Sequence, residues 1–210
     1  MKTAGTSVEI YFEDAALPLD TDILRGRAID EIESLSGVVG LRGLTRPGAK
    51  WYNHMSARDI RRNVGVNVWA DYFKFCVIRN PFDKVVSAWW FKMKEDERAF
   101  FALEDFSIVR ANFGDWVKRN IDGFFDRSVY VIDGQVVMDD FIRYETLLAD
   151  LKRICERVGV EYNPQNLGSY KTGFRVRKEQ FESYYDAETS EIVRNVFGFE
   201  LEYFGYDLCV

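Results

Sequence analysis

"YFKFCVIRNPFDKVVSAWW", residues 72–90, decides how the rest of the chain is read. Its first half, Tyr72 to Arg79, is a near-continuous apolar and aromatic run. That pattern suits a strand buried on both faces, as in a parallel sheet. Asn80-Pro81 then opens a helix. Asn caps the first amides, and Pro fits the first helical position, where no N–H is needed. Beyond it Phe82, Val85, Val86, Trp89 and Met93 recur at helical spacing as an apolar stripe. A buried strand feeding a helix is the building unit of α/β architecture. Ligands of open α/β sheets bind beyond the carboxyl ends of the strands, which is where Arg79 stands. Ser87 lies further along the helix, about 9 Å of rise past Pro81. An arginine at the strand end and a serine two turns on can clamp one anionic group. The spacing equally allows a surface arginine and a serine facing solvent.

Outward from this stretch the pattern alternates. Ser7 to Ala16 reads as a helix ended by Pro18, and Asp22 to Leu35 as a second, with Ile23, Ala28, Ile29, Ile32 and Leu35 on one face. Residues 37–48 hold four glycines and a proline and read as loop with a short strand. Ser56 caps a helix running to Val64, and another covers Asn112 to Asn120. Asp133-Gly134 between two apolar runs signals a hairpin. Glu145 to Val158 is amphipathic, with Leu147, Leu151, Ile154, Cys155 and Val158 inward and Gly159 as its stop. A last helix covers Ala187 to Phe197. There is no repeat, low-complexity tract or linker, so residues 1–210 read as a single domain.

Composition sets the bounds. The 210 residues are 47% hydrophobic and 16% aromatic, which argues for an ordered globular chain. No stretch reaches the ~18 uninterrupted apolar residues of a membrane span. Lys2 is followed by small polar and acidic residues rather than an apolar signal region, so the expected location is cytoplasmic. Three scattered cysteines, Cys76, Cys155 and Cys209, and one histidine, His54, argue against a zinc site or a disulfide framework. Cys76 and Cys155 read as core residues. Net charge is −6, with basic residues in small groups: Arg58, Arg61 and Arg62, then Arg175, Arg177 and Lys178. Such groups suit a small anionic ligand better than nucleic acid, although each alone also reads as a solvated face.

The chain opens with "KTAGTS", residues 2–7. A turn entering a helix presents backbone N–H groups and a partial positive charge. Gly5 permits close approach, Thr3, Thr6 and Ser7 add hydroxyls, and Lys2 adds an ammonium. These can neutralise a phosphate-like group. The pattern is not GxxxxGK[ST], since Lys precedes Gly.

Taken together, "KTAGTS" and "FKFCVIRNPFDKVVSAWW" resemble the sulfotransferase family, in particular its carbohydrate-type branch. "KWYNHMSARDIRRNVG", "DDFIRYETLLADL" and "YYDAETSEIVRNVFGFELEYFGY" are similar to further pieces of the family, in the same order. The resemblance implies a P-loop-like three-layer α/β domain, with a mostly parallel sheet flanked by helices. It implies 3'-phosphoadenosine-5'-phosphosulfate as donor, with no metal. It implies that Lys2, Thr3, Ala4, Gly5, Thr6 and Ser7 hold the 5'-phosphosulfate and that Arg79 and Ser87 hold the 3'-phosphate. Arg177 and Lys178 are looser matches to basic residues that the family brings over the nucleotide. The acceptor it implies is a hydroxyl, with a glycan as the expected class. The family's first loop follows a central strand, and here only Met1 precedes it, so the first strand is expected to be missing or truncated.

Sulfuryl transfer to an alcohol needs a base for the hydroxyl proton, and an imidazole suits that task. The family places its base in the segment holding His54; Glu13, Asp14 or another carboxylate is the fallback. Lys2 would also stabilise the leaving phosphate oxygen. Two other classes stay open on the residues: a P-loop-type phosphotransferase, and a non-catalytic nucleotide- or glycan-binding descendant. Trp51, Tyr52 and Trp90 are candidates for an acceptor cleft, whereas Trp89 belongs to the core stripe.

Overall fold

A computed structural model describes residues 3–18, 30–43, 47–170 and 172–208. In chain order the elements are α1 (Gly5–Ala16), β1 (Ile32–Glu33), β2 (Val38–Val39), α2 (Ala57–Val64), α3 (Val66–Asp71), β3 (Phe75–Ile78) and α4 (Pro81–Lys92). There follow α5 (Glu95–Leu103), α6 (Phe106–Asn120), β4 (Val131–Ile132), β5 (Gln135–Val136), β6 (Asp140–Arg143), α7 (Leu147–Val158) and α8 (Ala187–Phe204). The chain divides into two compact units. The first holds Ala4–Ile78 and Asp126–Tyr170, and the second holds Thr3, Arg79–Phe125 and residues 172–208.

In the first unit β3 and β6 pair in parallel, Phe75 against Asp140 through Ile78 against Arg143. The stretch that reads as a strand does form one, although its residues are mostly half-buried rather than closed on both faces. Cys76 is accordingly half-buried, while Cys155 is fully buried. Val8 and Tyr11 of α1, Ile142 of β6, and Leu151, Ile154 and Cys155 of α7 form one core, with Phe12, Phe75 and Val77 packed against it. The Tyr11 hydroxyl accepts from Asn163 N at 2.8 Å and donates to Glu161 O at 3.3 Å, which ties α1 to the loop after α7. The hairpin forms at the expected place. Asp133 and Gly134 take φ of 51° and 77°, the left-handed pair that a two-residue turn requires, and β4 pairs antiparallel with β5. Gly37 lies so close to α1 that a Cβ would stand 2.8 Å from Ala16 O.

The sheet is smaller than expected. Among the described residues it comprises three two-stranded pieces, of which β3–β6 is parallel. Of the helix expected over Asp22 to Leu35, residues 22–29 lie outside the described residues. Residues 32–33 are strand instead, paired with Val38–Val39 across a turn closed by the Ser34 amide and Gly37 O at 2.9 Å. Val39 supplies this pair's buried side chain, while Leu35, assigned to a helix face, is exposed.

In the second unit α4, α6, α8 and the 3-10 turn at Phe181–Tyr184 enclose an aromatic core. Phe82, Val85, Val86, Trp89, Trp90, Phe113, Tyr184 and Phe197 are all buried in it. Each such side chain contributes roughly 1.5–3 kcal/mol on burial. Four residues of the α4 stripe are therefore core as expected, Met93 packs beside them, and Trp90 joins them. Asn80 is the N-cap. Its Oδ1 accepts from Phe82 N at 2.9 Å, and its Nδ2 donates to Asp207 O at 2.7 Å. The helix expected from Asn112 begins at Asp105, whose side chain caps it. The last helix, expected to stop at Phe197, departs from helical geometry there and then continues to Phe204, where Gly205 in the left-handed region ends it.

Candidate active site

In the first unit the loop ahead of α1 turns at Ala4, with φ 65° in the left-handed region, a conformation costing a residue with a Cβ about 1–2 kcal/mol. Ala4 O accepts from Ser7 N at 2.9 Å and Val8 N at 3.2 Å, so helix geometry begins at Gly5. Thr3, Ala4, Gly5 and Thr6 are half-buried. Ser7 is buried, and its Oγ accepts from Tyr170 N at 3.4 Å, which makes it an anchor for the loop beyond α7. Lys2 and the expectation of a strand ahead of the loop lie outside the described residues.

His54 stands in an exposed turn between Tyr52 and the Ser56 cap of α2, with φ 61°. The turn is pinned on both sides. Leu41 N donates to Trp51 O at 2.9 Å and Asn53 N donates to Leu41 O at 3.1 Å. Ser56 Oγ accepts from Asp59 N at 3.1 Å. Trp51 is buried and Tyr52 exposed. Glu13, the fallback base, is 1% exposed and ion-paired with the buried Arg42, which suits a structural carboxylate. Asp14 is exposed. On α2, Arg58 pairs with Asp133 and Arg62 with Asp59, so both act as surface ion pairs.

In the second unit, Arg79, Asp83 and Ser87 follow at steps of four residues, so Asp83 and Ser87 share one face of α4. This face is half-buried, between flanks that are closed. Arg79 donates from Nε and Nη2 to Asp83 Oδ2 at 2.8 and 2.6 Å. Asp83 Oδ1 accepts from Arg175 Nη1 at 3.1 Å. Two guanidiniums thus share one carboxylate. Asp83 was recoverable from its four-residue offset to Arg79. Its link to Arg175 spans 92 positions, and no local pattern signals it.

Arg177 is committed elsewhere. It donates to Phe101 O at 3.2 Å, Glu104 O at 2.7 Å and Glu179 Oε1 at 2.9 and 2.5 Å. The guanidinium holds the Glu179 carboxyl below its usual range. Lys178 is exposed. Burial pushes the Cys76 thiol up to about 12 and the Tyr185 phenol well above its usual value, so neither is a nucleophile near neutrality. Among the described residues no group of three His, Cys, Asp or Glu side chains is placed to hold a metal, and no helix is long and apolar enough to cross a membrane.

Residues 45–129 match the model of the sulfotransferase family, a stretch that contains His54, Arg79, Asp83 and Ser87. A protein of Archaeoglobus fulgidus, described as uncharacterised, is 29% identical over 107 residues, 50% of this chain and 83% of that one. No solved structure matches.

Proposed function

We propose that this chain, whose residues 45–129 match the sulfotransferase family model, transfers a sulfuryl group from 3'-phosphoadenosine-5'-phosphosulfate to a hydroxyl, with a carbohydrate as acceptor class. The observation that carries the reading is that one matched run holds both the strained His54 turn and the Arg79–Asp83–Ser87 face. We take residues 1–210 as one functional domain and its α/β core as the P-loop-like three-layer arrangement.

The chemistry of the α4 face fits a phosphate. A guanidinium presents parallel N–H donors that match two phosphate oxygens, and a hydroxyl one turn beyond its carboxylate partner adds a third donor. Arg79 and Ser87 are therefore assigned the 3'-phosphate. The loop Lys2, Thr3, Ala4, Gly5, Thr6 and Ser7 is assigned the 5' end. There the amides opening α1 and the Lys2 ammonium stabilise negative charge on an oxygen that is leaving. Ser7 serves that loop by fixing its path. When bound, the donor supplies an electrophilic sulfur and a phosphate leaving group. His54 is assigned the base. An exposed imidazole reaches an incoming hydroxyl, and a backbone held in a costly conformation is a mark of functional positioning. Of the two looser candidates, Arg177 has its N–H groups spent on carbonyls and Glu179, so Lys178 is the better placed for the nucleotide.

The test is transfer itself. With donor labelled in the sulfuryl group and a panel of glycans, label is expected in a glycan fraction together with equimolar adenosine 3',5'-bisphosphate. Label that stays on the donor across sugars, lipids and small alcohols would count against the reading.

A further inference from the structure

Helix α5 buries none of its nine side chains completely. Phe101 fastens it to the core of the second unit, with its ring centroid 5.9 Å from that of Trp89. Another face carries Phe100 and Leu103, three residues apart and so neighbours on the helix surface. Leu103 is 91% exposed and Phe100 is 53% exposed. Two more exposed apolar side chains belong to the surroundings of this helix end. Val176 precedes Arg177, whose guanidinium donates to Phe101 O and Glu104 O, and Ile108 lies in the first turn of α6. Single exposed apolar side chains are ordinary on a surface, whereas a group gathered at one place marks an interaction site.

The charge at both ends of this face has one sign. Glu95, Asp96 and Glu97 form the first turn of α5, and Glu104 and Asp105 follow its last residue. Among the described residues none of the five is ion-paired. Glu97 Oε2 accepts from Lys94 N at 2.8 Å and Asp105 Oδ1 from Ser107 N at 2.8 Å, bonds that leave each negative charge in place. The cations of the stretch are Lys94 and Arg98. Arg98 is half-buried, donates to Met93 O and lies over the Phe174 ring at 5.1 Å. Arg177, which acts on Asp105 from further off, is ion-paired with Glu179 instead.

Charge and area together select the occupant. Two copies meeting through this patch would set carboxylate against carboxylate, which is unfavourable. The apolar side chains here offer roughly a few hundred Å², against ~800 Å² per partner in a stable interface. A short segment that docks reversibly and carries the opposite charge fits both facts. We propose that α5 and the turn into α6 form a docking surface for a basic amphipathic segment of a partner protein. Its apolar side chains seat on Phe100, Leu103 and Ile108, and its lysines or arginines face the carboxylates at either end of α5. This inference is independent of the sulfotransferase reading.

The probe is a short fluorescent amphipathic peptide of leucine and lysine, titrated into the full chain by anisotropy. Two control peptides keep its pattern, one with glutamate for lysine and one with serine for leucine. Saturable binding of the leucine–lysine peptide is expected, with each control weaker by about tenfold or more. Leu103→Ser removes one apolar anchor and should weaken binding about tenfold. Its side chain is too exposed to disturb folding. Glu95→Gln with Asp96→Asn and Glu97→Gln should weaken binding by a similar factor and flatten its salt dependence. Tyr203→Ser alters an exposed aromatic on α8 of the same unit and should leave binding unchanged. The assignment falls if Leu103→Ser and the triple variant bind as the unaltered chain does, if Tyr203→Ser weakens binding as much, or if the serine peptide binds equally well. An absence of saturable binding at millimolar peptide also overturns it. So does self-association in sedimentation that Leu103→Ser abolishes, since a second copy would then be the occupant.

Discussion

Arg79 and His54 carry opposite kinds of local evidence. Arg79 is nearly closed from solvent and sits on Asp83 through two donors, so it is pre-aimed and loses little freedom on taking a phosphate. Arg79→Ala should weaken adenosine 3',5'-bisphosphate binding about tenfold or more by calorimetry; an unchanged affinity would remove it from the site. His54 is exposed and strained. His54→Gly should relieve the left-handed backbone and raise the melting temperature by the equivalent of up to about 1 kcal/mol. The same variant should lose turnover while keeping nucleotide affinity. A glycine variant that turns over normally would dismiss the imidazole as base. The sequence marks both as candidates, Arg79 from its place after a strand and His54 as the single histidine. The contact of Arg175 with Asp83 is not legible there, because it spans 92 positions.

Elements were read best where local chemistry decides them. Asn80-Pro81 opens α4, Gly159 in the left-handed region closes α7, and Asp133-Gly134 turns the hairpin, each through a backbone need that one residue type meets. Misreadings occurred where tertiary contacts decide. The strand at residues 32–33 is defined by pairing to Val38–Val39, and α8 passes a bent Phe197 whose ring is buried. The Asp186 cap of α8 gives a test at this scale. Its carboxylate accepts from Thr189 N at 2.8 Å and Thr189 Oγ1 at 2.7 Å, and these bonds hold it below the usual carboxylate range. A depressed carboxyl contributes stability above its unfolded pKa of ~3.9 and loses it as pH falls through the folded value. Asp186→Ala should therefore cost about 1 kcal/mol at pH 7. The gap from wild type should close toward pH 2 in denaturant titrations, and a gap independent of pH would contradict the cap. The buried Glu13–Arg42 pair gives another: Arg42→Ala strips the guanidinium from a closed carboxylate and should destabilise by about 3 kcal/mol in chemical denaturation. A loss under 1 kcal/mol would show that the pair is not structural.

For the molecule as a whole, the α/β class followed from one strand–helix junction. The extent of the sheet did not follow: the resemblance implies a mostly parallel sheet, whereas among the described residues the parallel pairing is that of β3 with β6. The sulfotransferase family model matches residues 45–129, and the loop at residues 3–7 lies outside that stretch. The claim that unites these parts is recognition of a nucleotide with phosphates at both its 3' and 5' positions. The most direct measurement is calorimetric titration of the unaltered protein with adenosine 3',5'-bisphosphate, set against adenosine triphosphate with magnesium. The account predicts saturable binding of the bisphosphate in the absence of metal and much weaker binding of the triphosphate. No bisphosphate binding at millimolar concentration, or tighter metal-dependent binding of the triphosphate, would contradict it and favour a phosphotransferase.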